Sequence, residues 1–261
     1  MAHTIYENFV LANTVEDTYN SHLDLVRFCT VDNSLVGAPG MKKKVHVYTA
    51  TNGTEKLAMG VGNSKDITVS YAEKEYEILL AQNRFPYFDE EEMTDPMVVD
   101  TGMRHAAIDL FNTVNADVYA EFNKATLTVE ASAPDFGAFV DAASKLNIEN
   151  LEGVELFAFV SQADMAKVRK ALKEDLKYVE AFARQGYVGS VAGINLYVKN
   201  DAVAGTIVGG TRDAVTLFNK RGVEIEQDRD KDLRKNLIFS RKYYFAALTD
   251  ATKAFKITIG G

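Results

Sequence analysis

The alternation of apolar and polar positions predicts a long β-hairpin in the first third of the chain. Residues 43–50 and 66–79 both alternate with a period of two and are rich in Val, Ile, Thr and Tyr, which is typical of half-buried strands. A glycine-containing loop at 51–65 joins them. An isolated hairpin of this length is only marginally stable in water, so we expect one apolar face to lie against a second copy of the chain.

A long amphipathic helix, residues 95–124, is predicted after the hairpin. The segment FPYFDEEEMTDP, residues 85–96, is expected to form an acidic turn, and Thr94 is the expected N-cap with Asp95 and Pro96 in the first helical turn. At ~1.5 Å per residue this helix would span about 45 Å, enough for the spine of a flat domain. Its apolar stripe recurs every three or four positions at Ile108, Phe111, Val114, Val118 and Phe122.

The second half of the chain predicts a compact α/β unit. Its elements are a buried strand at 154–160, a helix capped by Ser161, a strand pair at 187–198, a strand at 205–210, and a helix from Thr211 through Asn219. A helix opened by Asp135 precedes this unit, and strands at 223–228, 241–249 and 254–259 follow it. The chain as a whole is predicted to be α+β.

The net negative charge of the chain argues against nucleic acid and anionic membranes as binding partners. The 261 residues carry a formal net charge of −8, and 47% of them are hydrophobic and 25% charged, which are ordinary globular values. An acidic chain is poorly suited to grip nucleic acid or an anionic membrane surface, both of which need clustered Lys and Arg. No apolar run approaches the roughly 18 residues of a membrane span, and the N-terminus does not resemble a signal peptide.

Metal and nucleophile chemistry find little support in the residue pattern. The four histidines stand far apart, at positions 3, 22, 46 and 105, whereas a zinc site needs three or four converging ligands. Cys29 is the single cysteine and is interpreted as a small buried residue. The acidic run 89–92 could bind a divalent cation, although a solvated turn is the commoner outcome for such a run. We expect no metal and no cofactor.

Two glycine-containing segments invite a comparison with ligand or nucleophile motifs. YVGSVAG, residues 187–193, lacks the glycines that a nucleophile elbow around Ser190 needs, so a tight hairpin turn is expected there. Gly209 and Gly210, ahead of the helix predicted at Thr211, could hold a phosphate at its N-terminus. A plain strand-to-helix turn is the alternative.

The stretch 220–235 is dense in charges of both signs and has two interpretations. In a surface loop each ion pair contributes only ~0–1 kcal/mol. Across a subunit boundary the same residues would set the register of neighbouring copies and exclude wrong partners. The pattern alone leaves both interpretations open.

The ordered succession of these segments resembles the major capsid proteins of tailed bacteriophages, which share the HK97-type fold. The resemblance runs over nearly the full length and is carried by residues 33–64, 82–102, 169–198 and 223–253. None of these segments is a catalytic motif. The resemblance implies an N-terminal arm at 1–35, an extended loop at 36–82, a peripheral domain built from 83–150 and 223–261 around a spine helix at about 95–124, and an axial domain at 151–222.

The resemblance also implies a function. It predicts a non-enzymatic coat protein that assembles through pentamers and hexamers into an icosahedral head shell around phage DNA, without sequence-specific DNA binding and without a membrane. Subunit contacts are expected at Asn52, Gly53, Glu55, Lys56, Met59, Glu224, Glu226, Arg229 and Arg234. A portal protein, a separate scaffolding protein and a decoration protein are the expected further partners, the scaffold being separate because the chain shows no long helical leader. Assembly is expected in the cytoplasm of a bacterial host, and the product is the virion.

Two alternatives remain at this stage. A cellular nanocompartment shell of the encapsulin type shares the fold, and a bound cargo enzyme would distinguish it from a phage coat. An α/β enzyme that binds a phosphorylated ligand at residues 209–211 is the alternative of a different class.

Overall fold

The structure is a computed structural model that describes residues 24–94, 97–146, 148, 154–173 and 189–260. Several predictions therefore lie outside the described residues. They are the N-terminal arm up to residue 23, the helix start at Asp95 and Pro96, the helix beyond residue 173, and the strand start at residue 187.

Within the described residues the chain forms twelve strands, four α-helices and two short 3₁₀ turns. The strands are β1 (Thr30–Asp32), β2 (Lys42–Ala50), β3 (Val69–Glu77), β4 (Leu79–Phe88), β5 (Leu127–Ala131), β6 (Leu156–Val160), β7 (Ser190–Val191), β8 (Ile194–Val198), β9 (Thr206–Gly210), β10 (Val215–Asp230), β11 (Lys235–Leu248) and β12 (Ala254–Ile259). The helices are α1 (Asp89–Thr94), α2 (Met97–Phe122), α3 (Phe136–Lys145) and α4 (Gln162–Ala171), and the 3₁₀ turns are Leu25–Phe28 and Ala251–Lys253.

The predicted hairpin is confirmed as a separate two-stranded antiparallel sheet of β2 and β3. Its register runs from Lys42 opposite Glu77 to Ala50 opposite Val69. Every residue of β3 is exposed except Tyr76, which is half-buried. The apolar face of β3 is therefore uncovered in a single copy, and its contact with a second copy stays a prediction.

A four-stranded sheet in the order β1-β10-β11-β4 forms one layer of the molecule. The helix predicted from Thr211 through Asn219 is wrong, because this segment is a turn at 211–214 followed by β10. Residues 215–218 are all buried and pair with β11, and in such a buried run the apolar spacing does not separate a strand from a helix.

The long helix α2 packs across this sheet as the predicted spine. At ~1.5 Å per residue its 26 residues span about 39 Å. Four of the five predicted stripe residues are buried, and Ile108 is half-buried. Hydrogen bonds join the two layers: the Asn83 side chain donates to the Ala106 carbonyl at 2.7 Å, and the Tyr244 hydroxyl donates to Asp117 at 2.7 Å.

The acidic turn predicted at 85–96 is wrong in its described part, which completes β4 and then forms α1. Carboxylates in a first helical turn are stabilised by the helix dipole, and the Phe88 N–H donates to Glu91 at 3.0 Å. Thr94 is the last residue of α1, where its hydroxyl donates to the Glu90 carbonyl at 2.7 Å.

A second sheet has six strands in the order β5-β12-β9-β6-β8-β7, with α3 and α4 packed on one face. Both helices begin at their predicted caps, because the Ala138 N–H donates to Asp135 at 2.9 Å and the Asp164 N–H donates to Ser161 at 3.1 Å. In this sheet β12 pairs with β5 and with β9, so strands assigned from the sequence to the peripheral domain join those of residues 151–222.

The main apolar core lies on both faces of the central strand β6, whose five residues are all buried as predicted. Leu156, Ala158 and Val160 face α3 and α4. Phe157 and Phe159 point the other way, into a cluster with α2 and the four-stranded sheet. The second face of the six-stranded sheet thereby holds the two sheets together.

Candidate functional site

The loop between β2 and β3 is closed at its base by cross-loop contacts. The hydroxyls of Thr51 and Thr68 lie 2.7 Å apart. Gly53 approaches the returning chain so closely that a Cβ at this position would lie 2.7 Å from the Ile67 nitrogen. Gly53, one of the predicted contact residues, is therefore buried and serves the closure of the loop itself.

A second clasp lies nearer the loop tip. The Glu55 carboxylate accepts the Ser64 hydroxyl at 2.6 Å and the Ser64 N–H at 2.8 Å. These hydrogen bonds hold the pKa of Glu55 below its usual value, so it is ionised at neutral pH. Of the other predicted loop residues, Asn52 and Lys56 are exposed.

Apolar side chains project from the loop tip into solvent. The exposed fractions are 46% for Leu57, 104% for Met59 and 57% for Val61. Clustered exposed apolar residues mark interaction surfaces. Met59 was among the residues predicted from the sequence, whereas Leu57 and Val61 were missed although they alternate with it.

The predicted charged residues of β10 form ion pairs within their own chain. Arg241 on β11 binds Glu224 at 3.1 Å and also contacts Glu226, and Arg221 binds Glu224 at 3.1 Å. Arg241 was missed because its partner depends on the strand register, which places it opposite Glu224.

The tip of the β10–β11 hairpin holds the remaining two predicted residues. Arg229 binds Asp89 at 2.7 Å, and the Asn236 side chain donates to the other oxygen of Asp89 at 2.8 Å. Arg234 binds Glu90 at 2.9 Å. Asp89 is 8% exposed, so this carboxylate ties α1 to the hairpin tip from a nearly buried position.

The proposed phosphate position at residues 209–211 is not a ligand site. Gly209 lies in the centre of the six-stranded sheet, where a Cβ would lie 2.1 Å from the Phe157 carbonyl oxygen. A Cβ at Gly210 would lie 2.2 Å from the Lys253 carbonyl oxygen. The glycines serve close backbone packing, and a strand follows them instead of a helix N-terminus, so this basis for a phosphate-binding enzyme is wrong.

The other residues considered for catalysis or metal binding lie in environments that serve the fold. Cys29 is fully buried, and burial raises the pKa of its thiol to about 12, which keeps it protonated. The turn after Ser190 has positive φ at Ala192 and Gly193, as expected for a tight hairpin. Across the described ranges no three His, Cys, Asp or Glu side chains are grouped to hold a metal ion, and no helix there is long and apolar enough to cross a membrane.

Comparisons with known proteins agree with this architecture. The chain is 28% identical to the major capsid protein of Staphylococcus phage phiMR11, over 96% of this chain and 92% of that protein. Its fold matches the structure from Mycobacterium phage Che8 with a TM-score of 0.68 and 18% identity, over 87% of this chain and 88% of that one. It also matches a virus-like particle from Pyrococcus furiosus with a TM-score of 0.67 and 12% identity, over 97% and 100% of the two chains. No family model matches the chain.

The chain is a coat protein with the HK97-type fold. The full-length relative is a major capsid protein, and the capsids of phages share the fold of this α+β chain, which confirms the prediction of a shell-forming phage coat protein. The role of the coat protein is structural, in a shell that it forms with its own copies and that belongs to the virion.

Proposed function

We propose that this coat protein assembles through pentamers and hexamers into a closed icosahedral shell that encloses phage DNA. The observation that carries the proposal is the projecting β2–β3 hairpin, whose apolar loop tip is exposed in a single copy. Burying apolar surface gains roughly 25 cal/mol per Å². Individually weak contacts become strong when each copy makes several of them with several neighbours.

We propose a separate role in assembly for each part of the chain. Residues 1–35 act as an N-terminal arm, and residues 36–82 extend over the adjacent subunit. Residues 83–150 and 223–261 form the peripheral domain around α2, and residues 151–222 form the axial domain at the fivefold and sixfold centres. The packing of α2 on the four-stranded sheet supports the peripheral part of this division, whereas β5 and β12 of that part pair within the six-stranded sheet of residues 151–222. Heterologous contacts that close by rotation give rings.

The contact residues have different proposed roles. Asn52, Lys56 and Met59 are exposed on the loop and meet the neighbouring subunit, whereas Gly53 and Glu55 give the loop its shape.

Two of the charged residues are well placed to contact a neighbour. The side chains of Glu226 and Arg234 are 57% and 67% exposed and retain free surface for a second ion pair. Glu224 and Arg229, which are less exposed, hold the β10–β11 hairpin in the shape that presents them.

The further partners are a portal protein, a separate scaffolding protein and a decoration protein, with assembly in the cytoplasm of the bacterial host. The coat protein needs no cofactor and carries out no catalysis. The net charge of −8 supports a shell wall that encloses DNA without binding a particular sequence.

A second candidate is a cellular nanocompartment shell of the encapsulin type. It would share the fold, which this chain has in common with the virus-like particle from Pyrococcus furiosus over 97% of its length. Nuclease treatment of purified particles separates the two functions. Protected double-stranded DNA supports the phage head, and a stoichiometric protein cargo without DNA supports the nanocompartment.

The loop tip gives a direct test of the proposed contact. Replacing Leu57, Met59 and Val61 together by Ser removes the apolar surface and leaves the clasp residues in place. We expect loss of large particles in light scattering and electron microscopy, with an unchanged circular dichroism spectrum. The matched control replaces Lys65 and Asp66 of the same loop by Ser and keeps the net charge. Particles from the triple variant at the parent yield would overturn the role of the loop tip.

A further inference from the structure

At the end of β3 the hairpin joins the body of the subunit through a single residue. Ile78 separates β3 from β4, is 3% exposed, and donates its N–H to the Met41 carbonyl at 2.8 Å. Because β4 belongs to the four-stranded sheet, the chain passes from the hairpin into the body at this joint. One joint residue does not by itself fix the direction of a hairpin whose strands are nine residues long.

A pair of residues at the root of the hairpin lies on a pair of residues in the sheet. Lys43 and Tyr76 are directly opposite each other in the hairpin, and Phe218 and Phe245 are directly opposite each other in the sheet. The Lys43 ammonium lies 4.1 Å from the centroid of the Phe218 ring. The Tyr76 ring stacks on Phe245 with centroids 5.4 Å apart and planes 15° apart, and the two phenylalanine rings stack on each other at 4.7 Å.

The charged end of this stack is held by a third element. The Lys43 ammonium lies 3.0 Å from the Asp32 carboxylate and 3.1 Å from the Ser34 hydroxyl, in the segment at the end of β1. The Ser34 N–H donates to the same carboxylate at 2.7 Å. The lysine therefore joins the hairpin both to an aromatic face and to an anchored carboxylate.

Both hairpin residues of the stack are among those that are not fully exposed. Tyr76 is the half-buried residue of β3, and Lys43 and Val45 are the half-buried residues among the described side chains of β2. Lys42 and Lys44, on the opposite face, form ion pairs with Glu75 and Glu73 of the hairpin itself. The contact with the body is thus concentrated at one end of one face.

We propose that the stack of Lys43 and Tyr76 on Phe218 and Phe245 fixes the direction of the hairpin in the free subunit. The four side chains are positioning residues, because they act on the loop tip at a distance. A hairpin held in its bound direction loses less conformational entropy on assembly than a free one. The fixed direction is a property of one subunit, and only its consequence for assembly rests on the proposed function.

The test measures the direction of the hairpin in the unassembled full-length chain. Spin labels are placed at Ala58→Cys on the loop and at Asp141→Cys on α3, in a Cys29→Ala background. Double electron–electron resonance then gives the distribution of the distance between them. The fraction that has not assembled is separated by size exclusion, so the measurement does not depend on shell formation.

Two variants break the stack and two retain it. For Lys43→Gln with Tyr76→Ala we expect the distribution to widen about twofold or more, because a hairpin released from its contacts samples many directions. Lys43→Arg and Tyr76→Phe preserve the cation and the ring and should keep the parent width. Lys44→Gln, an exposed lysine on the opposite face of the hairpin, is the matched control and should also keep it.

The outcomes separate this inference from the proposed function. A parent width in the Lys43→Gln, Tyr76→Ala variant overturns the inference, and so does equal widening in Lys44→Gln. A widened distribution together with slower shell formation supports both. If the loop-tip variant forms no shells but keeps a narrow distance distribution, the direction of the hairpin is fixed independently of the contact that its tip makes, which supports the inference.

Discussion

Gly102 illustrates how a single residue lets the spine helix lie against β4. A Cβ built at Gly102 would lie 2.2 Å from Cζ of Phe85, far inside van der Waals contact. The Phe85 ring belongs to a cluster with buried residues of α2 and of the β10–β11 hairpin. The ring cannot move away without breaking these apolar contacts, because protein interiors are close-packed.

Gly102→Ala is therefore expected to lower the free energy of unfolding by about 1–3 kcal/mol through overpacking. Urea denaturation of the two proteins measures the difference. Gly222→Ala is the control, because a Cβ there meets nothing within 4 Å. Equal stability of Gly102→Ala and the parent would contradict the close packing described for this contact.

The residues that could be predicted from the sequence are those whose surroundings are local. The caps Asp135 and Ser161 bind N–H groups three residues away, so their role follows from spacing alone. Asp89 could not be separated from the three glutamates beside it. Its partners Arg229 and Asn236 are 140 and 147 residues away, and they are brought together only by the register of β10, β11 and β4.

Among the elements, α1 depends on this nearly buried carboxylate. The Asp89 side chain is 10% exposed and binds an arginine that is itself 40% exposed. Solvent screens the arginine side of this pair, whereas Asn236 is 6% exposed and would lose a hydrogen bond acceptor.

Asp89→Ala is expected to destabilise the chain by about 1–3 kcal/mol, the usual cost of leaving a buried polar partner unsatisfied. Hydrogen exchange should quicken in α1 and at the tip of the β10–β11 hairpin. Glu92→Ala removes a carboxylate from the same helical turn and serves as the control with little effect expected. Matching losses in the two variants would show that Asp89 acts only through its charge on the helix.

The anchor of the β2–β3 hairpin has a predicted pH dependence. Partial burial alone would raise the pKa of Asp32, but hydrogen bonds from Ser34 and Lys43 outweigh it and leave the pKa below its usual value. A carboxylate with a lowered pKa in the folded state contributes its stabilisation above the pKa of a free aspartate, ~3.9. The contribution is lost as the pH falls through the folded-state pKa.

The spin-label distance distribution should therefore stay narrow at about pH 6 and widen as the pH falls below ~4. We expect no such widening at low pH in Asp32→Asn, because this side chain no longer titrates. Glu75→Gln, which changes an ion pair on the outer face of the hairpin, keeps the widening. If the distribution still widens at low pH in Asp32→Asn, the pH dependence belongs to another group.

At the scale of elements, the sequence predicted strands with clear alternation and helices with local caps. It failed where neighbouring strands decide the conformation. Residues 215–218 are buried on both faces and carry no alternation, so they resembled a helix. Residues 85–88 are an edge strand that ends directly in the acidic helix α1, and their composition alone suggested a turn.

For the whole molecule, the overall fold and function followed from the succession of segments along the chain, whereas the membership of the sheets did not. β5 and β12 are separated by more than a hundred residues and yet are neighbours in one sheet. Pairing over such distances leaves no local pattern, because each strand alternates in the same way whichever partner it has.

The proposed role of the β2–β3 loop predicts the result of its removal. Deleting residues 51–64 should leave both larger sheets folded, because the loop contacts described here are made within the hairpin itself. Thermal unfolding should then resemble that of the parent, while light scattering shows no stable shells. Normal shells from the deletion variant would falsify the assembly role of the loop.

The most direct test is to purify the chain and examine it by negative-stain electron microscopy, with light scattering on the same sample. Closed shells, tubes, or uniform pentamers and hexamers are the predicted result when the scaffolding protein is co-expressed. A chain that stays a monomer or dimer even with its scaffolding protein present would contradict its assignment as the unit from which a shell is built.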